Sequence, residues 1–510
     1  MLLRKSALRD YALAIIASAG LFGWLQAIPT FADPDSFYHA RLTALMLDHG
    51  LLQQLPWLSF TDLAQQFTDQ HLLYHLWLLP WVAWFGAAIG AKVGHTILLV
   101  VMTLVFVAIL RSWKIPYAVP AVLLLYSVSA FLLRINLVKA TPLVLILFFG
   151  GLTLLLQRRY LAAWCLGMLY PWAHGGFILL PLAAGLMVLA DTVAQSWQGR
   201  RLKLGDPRPW WIASSAVLVG LVVHPYFPQH LKFYWQQLVQ IGVVNYASVI
   251  SVGAEWYPFS LPNLIGVLSV VLIAVVVAIV VGIFRQPQRL LSTPALTFMG
   301  LAIVFTVATL RSRRYVEYLA PVVWFWAMYL ALPYLASGQW KADWQRLTHY
   351  TGRWYYVFIL YCAITIPVGM VRSVLNIHQE FTKGFALDYL AGASRYVQTH
   401  AQPGSVVFHS DWDNFPMLFY HNPDNYYIVG LDPTFLYLHN QNTYQQWRQL
   451  VDGKVKQSLA NTIHQQFGAD YVVVDTTDPS AQLFRAYLLR DPELQLVFQD
   501  NEAVVFKRSL

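Results

Sequence analysis

The sequence predicts an α-helical polytopic membrane protein of about 11–12 spans, with a C-terminal extracytoplasmic α/β domain. Three observations carry that reading. Of the 510 residues, 57% are hydrophobic and only 12% are charged, a balance foreign to soluble domains. The apolar residues fall in runs near the ~20 residues needed to cross bilayer hydrocarbon. Charge is also divided unevenly: from Asn376 onward 9 Lys/Arg face 14 Asp/Glu, a balance of −5, so the preceding part carries +14. The chain therefore reads as a membrane domain over 1–375, with its first outer loop at 31–75, and a soluble domain over 376–510.

Residues 11–31 form the first span. Arg4, Lys5 and Arg9 precede it, which holds the N-terminus in the cytoplasm. The run is too long, and too many spans follow, for a cleavable signal peptide. Further apolar runs mark spans near 72–90, 93–110, 117–133, 139–156, 161–173, 176–190, 210–224, 264–284, 294–310, 315–337 and 354–371. Cys165 and Cys362 both lie in such runs, so no disulfide framework is indicated.

Basic loop clusters orient these spans. Arg158-Arg159, Arg200-Arg201-Lys203-Arg208, Arg285-Arg289 and Lys341-Arg346-Arg353 all suit the cytoplasmic side if 161–190 is a hairpin of short spans turning at His174-Gly175-Gly176. Residues 134–139, 224–263, 311–314 and the soluble domain then face outward. If Arg111 and Lys114 are cytoplasmic, 72–90 is a short re-entrant or interfacial helix; an outward Arg111 is the alternative. Leu51-Leu52-Gln53-Gln54-Leu55-Pro56-Trp57 in the first outer loop reads as an amphipathic surface helix.

Four polar groups meet the outer face in this topology. Asp33, Asp35 and His39 follow the first span directly, where carboxylates can hold a metal or take a nucleophile's proton; a solvated helix cap is the plain alternative. Asp69, His71 and His75 come next, and histidines four apart share a helix face and can ligate a metal or sit there as half-wet groups. Glu255, in Ser251-Val252-Gly253-Ala254-Glu255, is the only acidic residue between His224 and Arg285. Arg311-Ser312-Arg313-Arg314 breaks the positive-inside expectation, and its guanidinium groups suit a phosphate or diphosphate. Glu317 can neutralise one arginine at the next turn, and Arg134 and Lys139 add outward positive charge. With the opposite topology the arginine cluster is a cytoplasmic anchor.

In the soluble domain, 405–410, 426–431, 470–475 and 503–506 read as strands from their β-branched and aromatic content. Leu459–Phe467 reads as a helix stopped at Gly468. Asp411-Trp412-Asp413-Asn414-Phe415-Pro416 follows the first strand, a usual place for a site and equally for an Asp-capped turn.

An exit carboxylate in the first outer loop, many spans and an outer α/β domain together resemble the GT-C glycosyltransferases, nearest to the oligosaccharyltransferase catalytic subunit family. Asp33 or Asp35 matches that family's first-loop Asp, and Glu255 its later-loop Glu. Arg313-Arg314-Tyr315 echoes its arginine motif, and Trp412-Asp413 the middle of Trp-Trp-Asp-Tyr-Gly. Two departures stand out: Asp411 replaces the first Trp and Asn414-Phe415-Pro416 replaces Tyr-Gly, while 134–139 lacks the family's paired acids. The resemblance implies sugar or oligosaccharide transfer from a polyprenyl-phosphate or -diphosphate carrier to an acceptor protein or glycan on the outer face. It assigns catalysis to Asp35, Asp33 and Glu255, donor phosphate binding to Arg313, Arg314 and Arg134, and acceptor binding to Trp412 and Asp413. A metal, Mg2+ or Mn2+, would fall to Asp35 and Glu255. The expected setting is a bacterial or archaeal plasma membrane, with no nucleic-acid partner. The rival readings are a transporter or flippase, and an inert subunit that binds lipid-linked glycans; charged midplane residues and repeat symmetry, which the first requires, are not evident in the sequence.

Overall fold

The computed structural model describes residues 2–509 apart from 352 and 353. The side chains of Arg4, Lys5 and Cys362, and Arg353 as a whole, lie outside the described residues. The chain forms two compact units. One comprises Met1–Ile28, His95–Pro225 and Glu255–Phe381; the other comprises Pro29–Gly94, Tyr226–Ala254 and Thr382–Leu510.

The first unit is helical. Among the described residues of the chain, five helices are long and apolar enough to cross a membrane: Ala7–Gln26, Ala87–Ser112, Gly175–Gly199, Thr293–Arg311 and Arg313–Ser337. Two bent pairs, Ala118–Leu125 with Ser129–Asn136 (86°) and Leu261–Val267 with Ser269–Phe284 (77°), raise the number to seven. The protein is an integral membrane protein. Among the described residues the count is below 11–12 in part because several apolar runs fold as helices of 14–16 residues, such as Thr141–Leu156 and Tyr160–Ala173, shorter than ~30 Å at 1.5 Å per residue; the expected span 354–371 lies partly outside the described residues. Leu72–Phe85 in the second unit is likewise short and stops at Gly86, whose φ of 76° ends the helix.

Bulk and close approach hold the helices of the first unit together. Phe106, Phe149 and Phe325 are fully buried and meet edge to face with centroids 5.0–5.5 Å apart, each pair contributing about 1 kcal/mol beyond its burial. They tie Ala87–Ser112, Thr141–Leu156 and Val316–Ser337. A Cβ at Gly220 would stand 2.1 Å from the Met168 carbonyl oxygen, so only glycine permits the approach of Arg208–Val222 to Tyr160–Ala173. Ile273, Val276, Val280, Ile303 and Val307 are left exposed, as a lipid-facing surface requires. The break between Ala118–Leu125 and Ser129–Asn136 frees backbone carbonyls. Ser373 Oγ donates to Ser127 O at 2.7 Å, and Trp324 Nε1 donates to Ala121 O at 2.8 Å.

The second unit is built on a five-stranded sheet in the order Tyr426–Tyr427, Val406–His409, Ala469–Asp475, Ala503–Arg508, Leu494–Gln499. The first three strands are parallel and the last two pairings antiparallel. Four strand positions agree with the sequence reading. The run 426–431 pairs only at its first two residues, because Gly430 passes against Phe415, where a Cβ would lie 2.3 Å from the ring. Leu494–Gln499 was not anticipated: as a half-exposed edge strand with glutamines interrupting its apolar residues, it carries a weak signal.

Segments before and after the membrane helices complete this unit. Thr30–Phe31 pairs antiparallel with Phe385–Ala386, and Tyr427 N donates to Trp57 O at 2.7 Å. Phe233 stacks on Phe435 at 5.7 Å. Asp62 binds both Lys232 (2.7 Å) and His439 (2.8 Å), so one carboxylate joins all three segments. The expected surface helix over 51–57 is absent: Leu55 and Leu58 are fully buried, and Trp57 Nε1 donates to Pro423 O at 2.5 Å. Burial of irregular chain replaces a membrane-facing stripe there.

Candidate functional site

In the first unit, residues from three distant stretches converge. The bent segment ending at Asn136 delivers Arg134, the single 3-10 turn Ala254–Trp256 delivers Glu255, and the junction of Thr293–Arg311 with Val316–Ser337 delivers Arg314 and Glu317. Glu255 bridges the two arginines, Oε2 accepting from Arg134 Nη1 and Oε1 from Arg314 Nη1 at 3.2 Å. Arg134 also donates Nε and Nη2 to Glu317 Oε2, at 3.1 and 3.0 Å. Arg314 lies 5.1 Å above the Trp256 ring, and its Nη2 is 3.0 Å from His174 Nε2. Burial pushes the Glu255 carboxyl up, but Arg134, Arg314 and Lys139 outweigh it and hold the group well below the usual carboxylate range.

The turn is pinned to the arginine stretch by its backbone. Ser312 Oγ donates to Glu255 O at 2.9 Å, and Arg313 N donates to Tyr257 O at 3.0 Å. Arg313 itself is exposed and turns its guanidinium to the Tyr257 and Pro258 carbonyls, outside the carboxylate network. Glu317 pairs with Arg134 rather than with an arginine at the adjacent turn. His174 was not expected here; its Nδ1 accepts from Gly176 N at 2.8 Å, and the one signal for it was a His-Gly-Gly break between apolar runs.

In the second unit, Asp35 opens the helix Asp35–His49, and Asp33 precedes it, accepting from Ser36 Oγ. One turn beyond Asp35, on the same helix face, His39 begins a buried chain. His39 Nδ1 lies 2.8 Å from His75 Nε2, and His75 Nδ1 lies 2.7 Å from Asp69 Oδ2. All three side chains are buried. A carboxylate only accepts, so His75 donates through Nδ1 and its Nε2 accepts from His39. His71 donates its backbone N–H to Asp69 Oδ1 at 2.9 Å, so both carboxylate oxygens are engaged. Trp412 and Asp413 form a half-buried 3-10 turn just past strand Val406–His409, capped by Asp411, whose carboxylate accepts from Asp413 N at 3.0 Å.

Among the described residues, no group of three His, Cys, Asp or Glu side chains is arranged to hold a metal ion. Both oxygens of Glu255 face guanidinium groups.

No protein-family profile matches the chain, and no curated protein matches it in sequence. Solved structures do. The archaeal oligosaccharyltransferase AglB from Archaeoglobus fulgidus, in complex with an inhibitory peptide and a dolichol-phosphate, superposes with a TM-score of 0.60 at 13% identity, covering 91% of this chain and 69% of that one. ArnT from Cupriavidus metallidurans bound to undecaprenyl phosphate gives 0.58 at 14% identity over 97% of both chains. In its apo state ArnT gives 0.54 at 13% identity over 98% of both. This chain shares the GT-C fold of these proteins. On that GT-C fold the outward-loop acids and arginines read from the sequence fall into separate groups. Arg134, Glu255 and Arg314 share one network, Arg313 stands beside it, and Asp33, Asp35, Trp412 and Asp413 belong to the second unit.

Proposed function

We propose that this protein is a membrane glycosyltransferase that moves a sugar or oligosaccharide from a polyprenyl-phosphate or -diphosphate carrier to an acceptor protein or glycan on the outer face. The observation that carries this reading is the convergence of Arg134 and Arg314 on a single carboxylate, in a fold shared with two proteins solved with dolichol-phosphate and undecaprenyl phosphate. Two guanidinium groups that can grip one carboxylate can grip two phosphate oxygens.

The acceptor's nucleophile attacks the anomeric carbon, the bond from that carbon to the carrier phosphate breaks, and the electron pair leaves with the phosphate. Phosphate is a weakly basic leaving group, so it needs cations rather than an acid, and Arg134 and Arg314 stabilise the charge that develops. Arg313 adds positive charge at the rim. Asp35, or Asp33, takes the acceptor's proton, while Trp412 and Asp413 line the acceptor's path. Glu255 sets the spacing of the two guanidinium groups in the absence of carrier. No step is routed through a metal. The setting we infer is a bacterial or archaeal plasma membrane, with the N-terminus in the cytoplasm.

The test is transfer of radiolabelled sugar from polyprenyl-linked donors in proteoliposomes, comparing wild type with Asp35→Asn and Arg314→Ala. Loss in both folded variants supports the reading. Transfer equal in all three removes these residues from the chemistry, and no transfer from any donor, with carrier binding retained, favours an inert binding subunit.

A further inference from the structure

Two acids share the guanidinium of Arg134, and they are not equivalent. Glu317 holds Nε and Nη2 from within the helix Val316–Ser337, and its side chain is only 4% exposed. Glu255 holds Nη1 from an isolated 3-10 turn, and 26% of its side chain is open to solvent. A ligand arriving from water can reach Glu255 but not Glu317.

The backbone beneath Glu255 is secured without its carboxylate, through Ser312 Oγ and the Arg313–Tyr257 bond. The side chain can therefore swing aside about its own torsions while the turn stays in place. Arg134 then keeps Glu317, and Arg314 keeps its place over the Trp256 ring. What remains is a pair of Nη1 groups aimed at the position the carboxylate held. A phosphate presents two oxygens and a negative charge to such a pair, as the carboxylate does.

We propose that Glu255 is a resident counter-anion of the Arg134–Arg314 site: the phosphate of the lipid carrier displaces it, and its return helps expel the spent carrier. This rests on the reading of the cluster as the carrier-phosphate site. In the empty protein Glu255 spares the fold an uncompensated, partly buried cation at Arg314, since Arg134 already has Glu317. Carrier affinity is lowered by the fraction of time the carboxylate is seated. Only an anionic lipid competes for the guanidinium groups, so a neutral glycolipid is rejected.

The experiment measures binding of undecaprenyl phosphate to the purified full-length protein in detergent. It compares wild type, Glu255→Gln, Glu255→Asp, Arg314→Ala and the Glu255→Gln/Arg314→Ala double variant. Removing the resident charge should tighten binding about tenfold in Glu255→Gln. The shorter acid of Glu255→Asp, unable to span both arginines, should give a smaller gain in the same direction and serves if the Gln variant does not fold. Arg314→Ala should weaken binding at least about tenfold, and the double variant should not regain it. Equal or weaker binding by both Glu255 variants, with Arg314→Ala still impaired, overturns the displacement. Equal binding by all five proteins overturns the phosphate-site reading instead.

Discussion

The two units surround their key titratable groups differently. In the first, charges are buried as ions and neutralised by one another, with Arg134 between Glu255 and Glu317 and Arg314 beside Glu255. The second also buries acids, Asp69, Asp475 and Asp491 among them, but adds imidazoles kept uncharged: burial lowers both His409 and His421 to about 4, and at His421 the nearby Arg395 pushes the same way. The first arrangement keeps its charge around neutral pH, because its arginines hold the Glu255 carboxyl well below the usual carboxylate range. It can therefore serve an anion at any such pH. The second exchanges protons as the solution is acidified. Anion chemistry should reside in the first unit and pH-sensitive stability in the second.

The largest effect should come from breaking the fixed-charge network. Arg134→Ala or Arg314→Ala should lower transfer about 10²–10³-fold, the scale for losing a donor to a developing anion. The loss should be the same from pH 6 to pH 8. Lysine at either position should restore little, since a point charge cannot reproduce the shared grip. A loss that varied with pH over that window would mean that a titrating group, not the arginine pair, sets the charge.

Titrating the second unit tests the other half of the comparison. A histidine whose folded value is about 4, against an ordinary 6.5, binds fewer protons folded than unfolded between those limits. Stability is therefore complete above about pH 6.5 and falls as pH drops toward 4. Between pH 7 and pH 5 each of His409 and His421 should cost about 2 kcal/mol. His409→Gln should remove about half of the pH-dependent fall in unfolding temperature, because His421 supplies the rest. An unchanged slope would show that His409 does not remain neutral in the folded protein.

The chain Asp69–His75–His39 stands between these extremes, with one carboxylate and two imidazoles. It fixes the rotation of the helix Asp35–His49 through His39, and with it the direction of Asp35 one turn earlier. Asp69→Asn should reduce kcat about tenfold, the scale of a small misplacement of a reacting group, with little change in KM for the carrier. A change in KM alone would place the chain in carrier binding rather than in aligning Asp35.

How much of this was legible beforehand differs between local and distant pairings. Five to seven of the expected spans, the helix Leu459–Phe467 with its Gly468 stop and four strand positions follow from periodicity and turn residues, which are local signals. Glu255 and Arg314 were legible as oddities, a lone acid and an outward basic cluster, though nothing in the sequence joined them. Glu317 was read as the partner of a neighbouring arginine, because helical spacing is all a sequence displays; its partner, Arg134, lies 183 residues away. Leu51–Trp57 misled for the same reason: its apolar residues suited a membrane surface, but Leu55 and Leu58 are fully buried in the protein.

The smallest effect is expected from chelation. Several acids that a divalent ion could recruit are committed elsewhere: Glu255 to two guanidinium groups, Glu317 to Arg134, and Asp69 to His75 and the His71 N–H. Lys139 adds positive charge near Glu255, which repels a cation further, and the stretch 134–139 offers no acid of its own. Transfer in proteoliposomes treated with EDTA should stay within about twofold of the untreated rate, since the leaving phosphate is already met by two permanent cations. A loss reversed by Mg2+ or Mn2+ would assign ligation to Asp33 or Asp35 in the first outer loop. The arginine pair would then share the leaving charge with a metal, and the contrast between the two units would narrow.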